Sequence, residues 1–252
     1  MSCELCGGVG FRIVDREGRG FASPCECRRQ AGVDDDLLAA CRLPPRYEHC
    51  NLGTFEPGNV SLHAALDKAL KYCAGYPFTG DDEGLGLLFS GDNGVGKTHL
   101  AVAVLRELVT TKGARGQFWD FHELIREIKH SYNPETRTTE EQILEPVIGT
   151  DVLLLDDLGA WKMTEWMVDT LFYVINSRYM AKRVTLVTTN FQDADRQAIV
   201  ASDPLVRREF LVERIGQRLR SRLMEMCLLI RMEGPDQRAE RQSGKRVAVL
   251  GR

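Results

Sequence analysis

The sequence predicts an α/β fold, a parallel sheet with helices on both faces, preceded by a small cysteine-rich module. Three observations lead there. A short apolar run at residues 84–89 passes into a glycine-rich loop and then into an apolar-faced helix. Two later strand-like runs, around residues 152–155 and 183–190, end in carboxylates and in an asparagine. Helical periodicity separates these runs, and that alternation is what builds parallel sheets.

Composition sets the outer bounds. The 252 residues are 43% hydrophobic and 27% charged, ordinary globular values that exclude a disordered or fibrous chain. The length suits one large domain with a small appendage. Apolar runs such as Val152-Leu-Leu-Leu155 fall far short of the ~18 residues of a membrane helix, and the start lacks a basic-then-apolar signal pattern. The expectation is a soluble, cytoplasmic chain. Its net charge of −3 hides an asymmetry, with +6 over residues 205–252 and −8 over residues 44–204. A basic end on an acidic body can meet phosphates at one face, although a solvated arginine-rich helix has the same composition.

The front of the chain concentrates cysteine. Cys3-Glu-Leu-Cys6 is a C-x2-C pair followed by glycines, and Cys25-Glu-Cys27 is a tighter C-x-C pair. Phe11-Arg-Ile-Val14 and the region near Phe21 predict a hairpin that carries the second pair back to the first. So short a module cannot bury enough core to fold alone, whereas a structural zinc contributes about 10–16 kcal/mol. Zinc on Cys3, Cys6, Cys25 and Cys27 is the expectation, with an iron–sulfur cluster and unligated thiols as alternatives. Cys41, Cys50, Cys73 and Cys227 have no paired spacing and are expected to be small buried hydrophobes. Leu43-Pro-Pro45 stops a short helical pattern, so the domain boundary is placed there: a module over residues 1–43 and a larger domain over residues 44–252. Within that domain residues 61–76 read as a helix, with Leu62, Ala65, Leu66, Ala69, Leu70 and Cys73 on one stripe.

The loop after the first strand is Gly91-Asp92-Asn93-Gly94-Val95-Gly96-Lys97-Thr98, a G-x4-G-K-T pattern between strand and helix. Its glycines let successive N–H groups converge on a β-phosphate, and the helix N-terminus adds partial positive charge. Lys97 bridges β- and γ-phosphates in such a cradle, and the Thr98 hydroxyl is a magnesium ligand. The strand Val152-Leu-Leu-Leu155 ends in Asp156-Asp157. At a strand's C-terminal end Asp156 suits magnesium and Asp157 suits a general base toward water. The third run ends in Thr188-Thr-Asn190, whose amide can reach the γ-phosphate or the attacking water. Residues 166–180 form a crossover helix with Met167, Leu171, Val174 and Ile175 inward, and residues 117–121 a further strand entering a helix over residues 122–132.

Together these motifs resemble the AAA+ P-loop ATPases. With the Leu43-Pro-Pro-Arg-Tyr47 lead-in, the Gly-Lys-Thr-His-Leu100 run and Asp-Asp-Leu-Gly159, the chain more closely resembles the DnaC/DnaI helicase-loader family, which includes the IstB transposition ATPases. The resemblance covers nearly the whole chain. It implies ATP and Mg2+, ATP hydrolysis, a replicative DNA helicase and single-stranded DNA as partners, and homo-oligomeric or helicase-templated assembly. It also implies that Arg218 is an arginine finger acting on a neighbouring subunit's γ-phosphate, with Arg222 one turn further on. Arg238 aligns with the family's second sensor arginine, although Asp236-Gln237 stands where Ser-Tyr is usual. For DNA the candidates are Arg126, Lys129, His130 and Tyr132, with the loop at 133–139. The rival readings are a transposition helper, a P-loop nucleotide kinase, and a DNA-binding adaptor that does not hydrolyse ATP.

Overall fold

The computed structural model describes residues 6, 11–16, 19–25, 35–193 and 209–238. At the front, β1 (Phe11–Arg16) pairs antiparallel with β2 (Arg19–Pro24), with Phe11 opposite Pro24. The expected hairpin is present and leads directly into Cys25, which is buried. Cys3 and Cys27 lie outside the described residues.

Residues just before the prolines pack against the sheet domain. In α1 (Asp35–Ala39) and the turn after it, Leu37, Leu38 and Cys41 pack into the core beside the sheet, and the Phe118 amide donates to the Cys41 carbonyl at 2.8 Å. Leu43, at the expected boundary, packs against the same core. The helix ends at Ala39, and Pro44-Pro45 starts a 3-10 turn (Pro45–Tyr47), with Pro44 at its N-cap.

The remaining elements are α2 (Val60–Gly75), β3 (Gly86–Gly91), α3 (Lys97–Lys112), β4 (Gly116–Asp120), α4 (Phe121–Ser131), α5 (Glu140–Gly149), β5 (Val152–Asp156), α6 (Glu165–Met180), β6 (Val184–Thr189), α7 (Leu211–Met226) and β7 (Cys227–Met232). Five strands form a parallel sheet in the order β4-β5-β6-β3-β7. The central strands β3, β5 and β6 are buried along their whole length because both sheet faces are covered there. Leu87 and Phe89 enter a core with α2 and α3, while Leu88 enters a second core with α4, α5, α6 and α7. The side chains of β5 divide likewise: Val152 and Leu154 face the first core, Leu153 and Leu155 the second.

Arg178 of α6 ties the second layer to the sheet. Its side chain is fully buried, and the guanidinium donates to the carbonyls of Val147, Ile148, Thr150 and Val184 and to the Thr185 hydroxyl. These acceptors include the unsatisfied C-terminal carbonyls of α5, so one cation caps a helix end and fastens it to β6.

Candidate functional site

The phosphate loop leaves the C-terminal end of β3, between β6 and β7, and enters α3. Gly94 at φ +77° and Gly96 at φ +103° are in the left-handed region, where a side chain is strained. Gly94 also has no room: an added Cβ would lie 1.8 Å from Asp236 Oδ1. Val95 is fully buried, anchoring the loop from below. Gly91 approaches β7 so closely that a Cβ there would stand 1.9 Å from the Met232 carbonyl oxygen.

Lys97 is buried, and its ammonium donates to the carbonyls of Gly91 (2.9 Å) and Asp92 (2.7 Å). Burial lowers it to about 8, against the opposing charges of Asp157 and Asp156. Thr98 donates through its hydroxyl to Asp156 Oδ1 at 2.9 Å, and Thr188 donates to the same oxygen at 2.6 Å. Asp156 itself is buried at the end of β5. Desolvation pushes its carboxyl up to about 6, with Asp157 adding and the two hydroxyls opposing. A hard-oxygen pair, one carboxylate and one hydroxyl in hydrogen-bond contact, is a donor set that fits Mg2+.

Asp157 leaves the strand with φ +56°, its amide held by the Thr188 hydroxyl at 2.9 Å. The Asn190 amide donates to Asp157 Oδ1 at 3.3 Å, so the tips of β5 and β6 present a paired carboxylate and carboxamide. Both line one cavity of ≈ 220 Å³ with Asn93, Gly94, Gly96, Lys97 and Thr98. Arg238 lines it as well, at the end of a short strap, residues 236–238, that packs on the loop. There the Gln237 amide donates to the Gly94 carbonyl at 3.2 Å, and the Arg238 amide donates to Asp236 Oδ1 at 2.9 Å. All the phosphate-site candidates are therefore gathered at one place, with Gly91, Asp92 and Val95 as the framework of the loop.

Arg218 lies apart from this cavity, on exposed surface, with its guanidinium 3.8 Å from the centroid of the Phe172 ring. It belongs to a ladder on α7: Arg214 stands over Phe191 at 4.6 Å and Arg222 over Tyr179 at 3.9 Å. The helix is interrupted at Gly216, φ +77° and ψ 159°, which re-aims the turn carrying Arg218. On α4, Arg126, Lys129 and His130 are exposed. Beside them the structure adds aromatics that sequence reasoning did not single out. Trp161 stacks on His122 with centroids 4.6 Å apart, and Trp166 lies under Lys129 at 5.4 Å.

Sequence reasoning also missed part of the cavity wall. Arg46, Tyr47, His49, Cys50 and His99 line it opposite the phosphate loop. The signal available was the lead-in Arg46-Tyr47 and the histidine after Thr98, which carried the resemblance without being given roles.

Comparison with known proteins agrees with this architecture. Among curated relatives, the replicative helicase loader DnaI of Bacillus subtilis (strain 168) is 29% identical over 207 residues, covering 82% of this chain and 60% of that protein. The replicative helicase loader DnaC of Escherichia coli (strain K12) is 25% identical over 148 residues, 59% of this chain and 58% of that protein. This chain therefore spans about 60% of the length of those relatives. A crystal structure of the DnaC helicase loader superposes with a TM-score of 0.62 and 34% identity, covering 75% of this chain and 99% of that one. The replication initiator DnaA bound to AMPPCP and single-stranded DNA shares the fold at TM-score 0.57 and 18% identity. The family model described as IstB-like ATP binding protein matches residues 48–232, a span that begins just after the lead-in, ends with β7 and encloses the whole phosphate loop. With the parallel sheet and the loop geometry in agreement, the chain belongs to the IstB-like ATP binding protein family.

Proposed function

We propose that this chain is an ATP-dependent loader that places a replicative DNA helicase on single-stranded DNA, hydrolysing ATP in an assembled state in the cytoplasm. The observation that carries the ATPase reading is the Asp157–Asn190 pair, 3.3 Å apart in the same cavity as Lys97. Similarity to DnaI over 82% of the chain carries the choice of helicase as client.

On triphosphate binding the Lys97 ammonium exchanges two backbone carbonyls for β- and γ-phosphate oxygens. Thr98 and Asp156, in hydrogen-bond contact, would hold Mg2+, which would supply charge neutralisation at the phosphates. Asp157 accepts a proton from the attacking water, and Asn190 keeps its carboxylate oriented. Arg238 reads the γ-phosphate from the strap above the loop. Arg218 reaches the γ-phosphate held by a neighbouring subunit, which makes the isolated chain a slow ATPase and head-to-tail assembly the active form. Single-stranded DNA lies along α4, its phosphates on Arg126, Lys129 and His130 and its bases on Tyr132 and Trp161. The front cysteines Cys3, Cys6, Cys25 and Cys27 hold a structural zinc that shapes a helicase-docking module.

The decisive experiment is capture of the purified chain by the cell's replicative helicase with and without ATP. ATP-dependent capture, lost in Lys97→Ala with folding unchanged, supports the reading; no capture in either condition removes the helicase as client. The family match gives a second reading, a transposition helper, for which a transposase replaces the helicase in the same experiment.

A further inference from the structure

The cavity wall opposite the phosphate loop carries chemistry that phosphate binding does not use. His49, Cys50 and His99 line it. One ring nitrogen of each histidine and the Cys50 sulfur all lie within 4.8 Å of one another. We propose that these three side chains form a binding site for a borderline-soft divalent cation, zinc in the first place, at the edge of the nucleotide cavity.

The spacing suits such an ion. Cys50 Sγ stands 3.8 Å from His49 Nε2. Two ligands of a tetrahedral zinc, one sulfur at about 2.3 Å and one nitrogen at about 2.0–2.1 Å, stand about 3.6 Å apart. The His49–Cys50 pair is thus close to ligating distance, and His99, within 4.8 Å of both, would move inward to complete the site. The donor set is also selective. A thiolate and two imidazoles favour zinc, whereas Mg2+ demands oxygen ligands, so this site and the Thr98–Asp156 pair do not compete for the same metal.

The backbone that carries the ligands is fixed in advance. The Cys50 amide donates to the Tyr47 carbonyl at 2.9 Å. Asn51 Oδ1 accepts from the amides of Gly53 (2.9 Å) and Thr54 (3.0 Å), and the Thr54 hydroxyl donates to the His49 carbonyl at 2.8 Å. His99 comes from the first turn of α3, and its ring meets Phe55 edge-on with centroids 5.5 Å apart. His99 Nε2 lies 3.2 Å from Thr54 Oγ1 and 3.4 Å from the Asn51 carbonyl oxygen. Outer-shell oxygens of this kind hold a metal-ligating imidazole in one tautomer and orientation. On binding, the Cys50 thiol gives its proton to buffer, and three protein ligands leave one coordination position for solvent.

The ordinary alternative is an aromatic and hydrogen-bonded corner that packs against a nucleotide base and binds no metal. Cobalt(II) titration of the full chain without nucleotide, read by calorimetry and by visible ligand-field bands, separates the two. The expected result is one more cobalt per chain in the wild type than in His49→Ala, or binding at that site weakened at least about ten-fold. His49 is exposed, so that variant keeps the fold. Cys50→Ser should remove the thiolate-to-cobalt absorption of the same increment. The increment should persist in Cys3→Ser/Cys6→Ser, which separates it from metal at the front cysteines. Equal stoichiometry and affinity in wild type and His49→Ala overturns the proposal. Because no ATP is present, that result leaves the ATPase reading standing.

Discussion

Asp156→Asn separates the catalytic value of this carboxylate from its cost to the fold. The side chain is buried, and desolvation raises it from the ordinary 3.8 to about 6. The folded chain therefore holds this proton more tightly than the unfolded chain. Stability from this group is fully present below about pH 3.8, declines as pH rises toward 6, and is lost above it. At ~1.4 kcal/mol per pH unit, the ionised carboxylate costs about 3 kcal/mol at neutral pH as an upper bound. Asparagine keeps the Oδ1 that accepts from Thr98 and Thr188 and removes the charge. Its new NH2 must replace the second carboxylate oxygen, which reduces the net gain to about 1–2 kcal/mol. Urea denaturation in EDTA at about pH 7.5 should show the variant more stable than wild type. The difference should shrink as pH falls below about 6, where wild-type Asp156 protonates. Mg2+-dependent ATP hydrolysis should fall by about 10²-fold or more in the same variant. A variant less stable than wild type near neutral pH, or a gap independent of pH, refutes the assignment of a destabilising buried charge.

Arg178→Met should destabilise the fold by about 3–5 kcal/mol, because it orphans several buried carbonyls at once; thermal and urea unfolding check this, and a loss under about 1 kcal/mol argues against its capping role. Arg218→Ala should leave nucleotide affinity unchanged and stability within about 1 kcal/mol, since it removes an exposed cation–π contact with Phe172, yet lower assembly-stimulated turnover by about 10³-fold or more. Wild-type turnover in the assembled state excludes a finger at this position. For the front module, metal analysis of the purified chain should find a zinc that is lost on Cys6→Ser; zinc content unchanged by that substitution removes Cys6 from the ligand set.

Much of the core and of the phosphate site was legible because it depends on short-range chemistry. The stripes Leu62–Cys73 in α2 and Met167–Ile175 in α6 bury as their periodicity requires. Asp156 and Asn190 fall at strand ends and Lys97 and Thr98 at the start of α3, where the glycine loop leaving β3 delivers them, so short-range pattern brings the four together. Strand β7 was not legible. It follows α7 at Met226–Cys227 with no glycine, proline or polar turn, so the helical pattern runs into the strand unannounced. Helix α5 was hidden by Pro146 and a polar first turn, although Thr139 and Gln142 form a capping box that could have revealed it. The second wall of the cavity depends on residues 46–50 meeting residue 99 across the fold, and no local pattern encodes that meeting. The packing of residues 35–41 was hidden for a related reason: Cys41 reads as a lone small hydrophobe until the Phe118 amide is found bonded to its carbonyl.

The direct passage from α7 into β7 has a mechanical consequence. The helix that displays Arg218 and the strand whose Met232 abuts Gly91 are one uninterrupted length of chain. No glycine or proline lies between Arg218 and Met232, so the outward-facing guanidinium and the strand beside the cradle are joined by helix and strand alone. In the head-to-tail assembly proposed above, that connection would couple a protomer's own nucleotide to the contact it makes with the next.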